Sequence, residues 1–191
     1  PLTLFQLASY RIAATSLFLI NGLMISLMFL LSYQLQQIYL VPVKTASFAV
    51  LPLALSALIA AFLAELIIAK LTRRTTYHLA GGLLILGTAL SAIATLFDAP
   101  WQLLMVTGTF IGMGIPLCFV VSNQLAYTQV PADKEGAAAG FTNMLTTLGG
   151  AVTVTFAALT LQYTNLIGAY LLLLTSAIVV AVLSLIARSH V

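Results

Sequence analysis

Six apolar stretches, at about 12–39, 46–69, 78–97, 101–127, 137–162 and 166–187, fill nearly the whole of this chain. Each reaches or exceeds the roughly 20 residues that a helix needs to cross the hydrocarbon of a bilayer. A lipid-facing chain must satisfy its backbone internally, as helix or closed barrel, and the short alternating segments of a barrel are missing. Charged residues make up only 6% of the chain, hydrophobic ones 62%, and the mean hydropathy is +1.14. A soluble domain carries about a quarter charged residues, so no soluble fold covers this much apolar surface. The expected fold class is an all-α membrane protein of six transmembrane helices, in one domain over 1–191.

The cations orient it. Arg11, Lys70, Arg73, Arg74, Lys134 and Arg188 fall in every second gap between the stretches, and Lys44 alone falls in the others. By the positive-inside rule the six mark the cytoplasmic side, which puts both termini there and the segments around Lys44, Asp98 and Thr164 outside. The expected location is the plasma or inner membrane, and the lipid bilayer is the first partner. The formal charge of +3 is then topological and gives no reason to expect nucleic acid. Cys118 is alone inside an apolar stretch, which fits a small packing residue and allows neither a disulfide nor a metal site. The opening PLTLFQLASYR has no initiator Met and no signal-peptide pattern, so a piece of a longer protein is expected.

Polar residues on a spanning helix should face protein or water. In the first stretch Asn21, Ser32 and Gln36 fall within a narrow arc with Ile25 and Met28. Interhelical hydrogen bonding would explain such a stripe. Tyr33, Gln34 and Gln37 extend the polarity further and favour a substrate cavity. In the fourth stretch, GTFIGMGIP brings Gly108 and Gly112 into small-residue spacing, and Pro116 lacks the amide that would bond the Gly112 carbonyl. Thr109, Gly112, Pro116, Phe119, Asn123 and Tyr127 share a stripe on this bendable helix, as around the midplane sites of transporters. In the fifth, Gly136, Gly140, Asn143, Thr147 and Gly150 repeat at helical spacing. That stripe reads first as a packing seam, with Asn143 and Thr147 as candidate substrate contacts. Asp133, Lys134 and Glu135 just ahead of it read as a helix start. Glu65, Lys70, Arg73 and Arg74 form the densest charged site, either topogenic or a latch between helices, with Glu65 neutralised by Lys70 or Arg73.

Catalytic patterns are missing. His78 and His190 sit at stretch ends, and no G-x-S-x-G, H-E-x-x-H or phosphate-loop run occurs. An enzyme is not expected, nor a cofactor or metal. No stretch centre holds an acid or base of the kind that marks a proton relay.

Several runs resemble one family. LQQIYLVPVKTASFAVLP, residues 35–52, resembles a segment of the 14-helix drug:proton antiporters of the major facilitator superfamily, with Gln36, Ala46 and Pro52 on the pattern. Leu40 and Ser47 stand where that pattern has glycine. The Glu65 to Tyr77 segment is similar to the superfamily's G-x-L-a-D-R-x-G-R-[RK] signature. Lys70, Arg73 and Arg74 keep its cations, while Glu65, Ala69 and Thr72 replace its Gly, Asp and Gly. GMGIP and VPADKEGAAAGFTNMLTTLGGA resemble the tenth-to-eleventh helix region, with Val130, Pro131, Gly136, Gly140, Asn143, Gly149 and Gly150 on the pattern. The opening PL…LF and its arginine look like the lead after the family's two extra central helices.

The resemblance implies the carboxy-terminal six-helix half of a transporter, a 3+3 inverted repeat of Pro1 to Phe97 and Ala99 to Val191. It implies the amino-terminal half as a partner, with the fuller signature and the proton-carrying acid there. It also makes the charged segment a cytoplasmic gating loop. The expected function is proton-coupled export of drugs or other amphipathic small molecules. Alternatives are another solute porter of the superfamily, or a six-helix scaffold or channel whose small-residue stripes join identical chains.

Overall fold

The computed structural model describes residues 2–187; Arg188 and His190 lie outside the described residues. The structure is 91% helical, with no strand among the described residues. A 3-10 turn, Leu2–Gln6, leads into α1 (Ala8–Tyr33), which widens into a π-helical turn at Gln34–Ile38. Leu40, with φ 52, closes this helix in the left-handed conformation that commonly ends helices, and the Val41 amide donates back to the Leu35 carbonyl at 2.9 Å. α2 (Val43–Ala49) is set off from α3 (Leu51–Leu96) at Val50, because Pro52 has no amide for the Phe48 carbonyl. α4 (Gln102–Tyr127), a 3-10 turn Ala132–Lys134, α5 (Glu135–Tyr163) and α6 (Leu166–Ile186) follow. The Asn165 side chain caps α6, accepting from the Gly168 amide at 2.8 Å. Among the described residues, five helices are long and apolar enough to cross a membrane, an architecture compatible with a multi-pass membrane protein.

In α3 the two helices expected at 46–69 and 78–97 are present as 51–71 and 73–96, joined at Thr72 without the expected loop between them. The 46 residues of α3 would run about 69 Å if straight. It is not straight. Leu53 and Ser56 flank Gly112 of α4, while Leu84 and Ala80 flank Gly114, two residues further on. Along a straight helix Leu53 and Leu84 would stand about 46 Å apart. The chain therefore turns back between them, and the one residue with non-helical angles is Thr72, at φ 74 and ψ 155. Nothing in Lys70 to Tyr77 is a glycine or proline, so helix continues on both sides and the whole turn falls on that residue. Thr72 also starts the second arm: its Oγ1 accepts from the Thr75 amide at 3.4 Å, and its carbonyl accepts from Thr76 Oγ1 at 2.8 Å. Glu65, Lys70, Arg73 and Arg74 thus stand on the two arms of a kinked helix rather than on a loop.

The arms, 51–71 and 73–96, clasp α4, and the second arm also packs on α6. α1 crosses α5 at backbone contact. A Cβ on Gly149 would collide with the Phe18 carbonyl and stand 2.7 Å from Phe18 Cα, and one on Gly22 would stand 2.9 Å from the Gly149 carbonyl oxygen. One core of buried leucines, isoleucines, alanines and tyrosines runs through α1, α3, α4 and α6. The most apolar windows of α5 and of the α2–α3 span are each 22% buried, against 56% for α1 and α4. Ser9 on α1 donates to Gln129 beyond α4 at 2.9 Å, Tyr10 meets Thr142 of α5 at 3.0 Å, and His78 meets Ser184 of α6 at 2.8 Å. Arg11, Lys70, Arg73, Arg74 and Lys134 therefore share one end of the bundle, the basic end, and Lys44 lies at the other.

Two stability outcomes are expected. Thr72 holds angles that are essentially confined to glycine, a strain of about 1–3 kcal/mol. Thr72→Gly relieves it, gives back about 0.5–1 kcal/mol in chain entropy, and should raise the unfolding midpoint in detergent by the equivalent of about 1 kcal/mol. Gly149→Ala should cost about 1–3 kcal/mol by overpacking. Gly140→Ala, with nothing near its added Cβ, should leave the midpoint unchanged or slightly raised.

Candidate functional site

A cavity of about 340 Å³ opens where α1, the first arm of α3, α4 and α5 meet. Asn21 and Met24 of α1, Ala61 of α3, Pro116 and Phe119 of α4, and Thr146 of α5 line it. The Asn21 amide is fixed there because Gly150 has no side chain: a Cβ on Gly150 would stand 2.9 Å from Asn21 Nδ2. That nitrogen instead donates to the Thr146 carbonyl at 2.7 Å. The walls are apolar and aromatic, with one amide and no charged side chain. Such a chamber suits an uncharged or weakly polar surface held by shape, with few fixed hydrogen bonds.

The remaining expected cavity residues are not gathered there. Ser32 and Gln36 line a second recess of about 310 Å³ with Met28, Ala46 and Ser47. Gln36 is 15 residues beyond Asn21, about 22 Å along a helix. Asn143 and Thr147 line an open groove of about 480 Å³ on α5 with Gly140, Met144 and Leu148. The small-residue stripe of α5 is thus divided. Gly149 and Gly150 pack against α1, while Gly136 and Gly140 have nothing within 4 Å. Asn123 turns its Nδ2 to the Phe119 carbonyl of its own helix at 3.0 Å. Leu35, next to Gln36, clusters with Trp101 and Met105 of α4, and Asn123 lies 18 residues beyond Met105, about 27 Å away. Gln36 and Asn123 therefore stand near opposite ends of the bundle.

Glu65, Lys70, Arg73 and Arg74 are exposed at the basic end. Glu65 accepts from Gln124 Nε2 at 3.0 Å; this bond to α4 replaces the expected neutralisation by Lys70 or Arg73.

Three fully buried tyrosines organise clasps that the sequence reading did not single out. Tyr10 bonds the Thr142 hydroxyl at 3.0 Å, and Tyr77 donates to Ser16 at 2.5 Å while accepting from Ser122 at 3.2 Å. Tyr170 donates to Gln34 Oε1 at 2.8 Å, and Gln34 Nε2 donates to Thr95 at 3.1 Å, joining α6, the π-turn and α3. The available signal was a tyrosine inside an apolar run, since a buried hydroxyl needs a partner. Beside the Gln34 clasp lies a pocket of about 210 Å³ lined by Tyr39, Asp98 and Asn165. Burial pushes the Tyr39 hydroxyl above its ordinary range; a Gln34 hydrogen bond opposes this and the Asp98 charge adds to it. The hydroxyl donates to the Ala99 carbonyl at 2.5 Å.

No protein-family model matches this sequence, and no curated protein matches it.

Gln34→Leu should leave the Tyr170 and Thr95 hydroxyls without their shared partner and cost about 1–3 kcal/mol. Tyr170→Phe alone should cost less, because it orphans only one acceptor. Unfolding midpoints of the two variants in detergent give the comparison.

Proposed function

We propose that this chain is one half of a membrane secondary transporter that moves amphipathic, mostly apolar small molecules, with export against protons as the favoured direction. The observation that carries this reading is the four-helix cavity, walled by Met24, Pro116 and Phe119 and holding the Asn21 amide but no charge. A site of that chemistry selects by shape and apolar area, which suits broad rather than exacting recognition.

The turns add support. Leu40 and Thr72, two of the three non-glycine residues with positive φ among those described, stand where the drug:proton antiporters of the major facilitator superfamily have glycine. A backbone that keeps glycine geometry without glycine is what a diverged copy of that fold would retain. In this reading the two arms of α3 are separate spans, giving a 3+3 inverted repeat. The open groove at Gly140, Asn143 and Thr147 faces the amino-terminal half of the same transporter, which carries the main coupling acid. The basic end lies in the cytoplasm of a plasma or inner membrane.

Two measurements on the natural protein containing this chain test the reading. A Thr72→Cys probe in intact cells should resist an impermeant thiol reagent until the membrane is permeabilised. In energised vesicles, Asn21→Leu should leave insertion intact and shift the relative transport rates of apolar and hydrogen-bonding substrates several-fold. Unchanged ratios across a panel would remove the cavity from the transport path. No proton-driven flux of any amphipathic compound would overturn the assignment.

A further inference from the structure

The second arm of α3 presents a bare stripe to its surroundings. Thr75, Leu79, Gly82, Leu86 and Ile93 are all exposed, and at 3.6 residues per turn they fall within an arc of about 60°. Gly82 is a notch in that stripe. A Cβ added there would meet nothing within 4 Å, whereas one on its neighbour Gly81 would stand 3.1 Å from Ala181 Cα of α6. The notch thus lies at the edge of the seam between the second arm and α6, with Leu79 and Leu86 standing above and below it.

The stripe ends at the Thr72 turn, where every residue from 69 to 75 is exposed. Lys70, Arg73 and Arg74 gather three cations there. Glu65, the nearest acid in sequence, is bonded to Gln124, and among the described residues none of the three cationic side chains makes an ion pair or a hydrogen bond. Arg74 to Leu86 spans about 18 Å along a helix, close to the roughly 15 Å of hydrocarbon in one leaflet. With the turn at headgroup level, Leu86 comes near the bilayer midplane.

We propose that the Thr72 turn and this stripe form a binding site for one anionic phospholipid of the leaflet at the basic end. Arg74 holds the phosphate, Arg73 and Lys70 add positive potential, and an acyl chain lies over Gly82 between Leu79 and Leu86. A guanidinium makes paired bonds to phosphate oxygens, and each cation near anionic headgroups strengthens binding roughly fivefold. A chain seated in a notch gains dispersion contacts that a chain against a smooth helix lacks. Charge decides for a lipid over a partner helix, because a phospholipid brings its anion and its apolar chain in the order in which this surface presents cation and stripe. The site rests on these helices spanning a bilayer and not on transport.

The natural protein containing this chain, purified in mild detergent, is titrated with phosphatidylglycerol or with phosphatidylcholine of the same chains, and bound lipids are counted by native mass spectrometry. The wild type should retain one phosphatidylglycerol several-fold more tightly than phosphatidylcholine. Arg74→Gln should lower that preference roughly fivefold. Gly82→Leu fills the notch with every cation in place, and should weaken phosphatidylglycerol retention several-fold while leaving the lipid-free unfolding midpoint unchanged or raised. Equal retention of the two lipids, or no loss in Arg74→Gln, overturns the proposal. Undiminished retention in Gly82→Leu means a diffuse attraction to the surface and also overturns it. A lowered lipid-free midpoint in Gly82→Leu places a protein helix over the notch, and displacement of the lipid by inorganic phosphate makes this a site for soluble anions; either result overturns it too. Lipid retention is read without any flux, so this proposal and the transporter reading fail separately.

Discussion

Lipid tails are as apolar as leucine, so helices in a membrane gain little by covering one another's leucines and must be held by close packing and hydrogen bonds. In this chain the closest packing occurs where α1 crosses α5 at Gly22 and Gly149, and where both arms of α3 meet α4 at Gly112 and Gly114. Each contact sets backbone against backbone or against the root of a side chain. The central cavity depends on them. Its four walls are the same helices, and Asn21 reaches the Thr146 carbonyl only because Gly150 leaves the space.

Hydrogen bonds do the rest, unevenly. Tyr77 ties α3 to α1 and α4, and Gln34 ties the end of α1 to α3 and α6. These clasps sit near opposite ends of the second arm, 73–96, which is thereby fixed into the core. The first arm is joined to α4 by the Glu65 to Gln124 bond and by the close approach of the Leu53 carbonyl and the Ser56 hydroxyl to Gly112. It meets the second arm at the strained Thr72.

The charge pattern supports the same division. Basic residues gather at the end where Thr72 turns the chain, and at that end the sole acid on α3 is bonded to an amide rather than a cation.

The sequence by itself determined the all-helical class, the long apolar helices and the sorting of cations to one end. Each follows from local quantities: the length of apolar runs, the backbone's need for internal hydrogen bonds in lipid, and the order of charges along the chain. Tertiary structure decided the rest. The charges of KLTRRTTY marked a gap between two apolar runs, but no residue there breaks a helix, so nothing local showed that the whole turn would fall on Thr72. Helical periodicity put Asn21, Ser32 and Gln36 on one stripe, but a stripe has length, and 15 residues carried Gln36 out of the cavity that holds Asn21. The glycines of α5 looked alike in sequence. Which of them meet α1 and which face open space depends on where two helices cross, and that is fixed by contacts between residues more than a hundred positions apart.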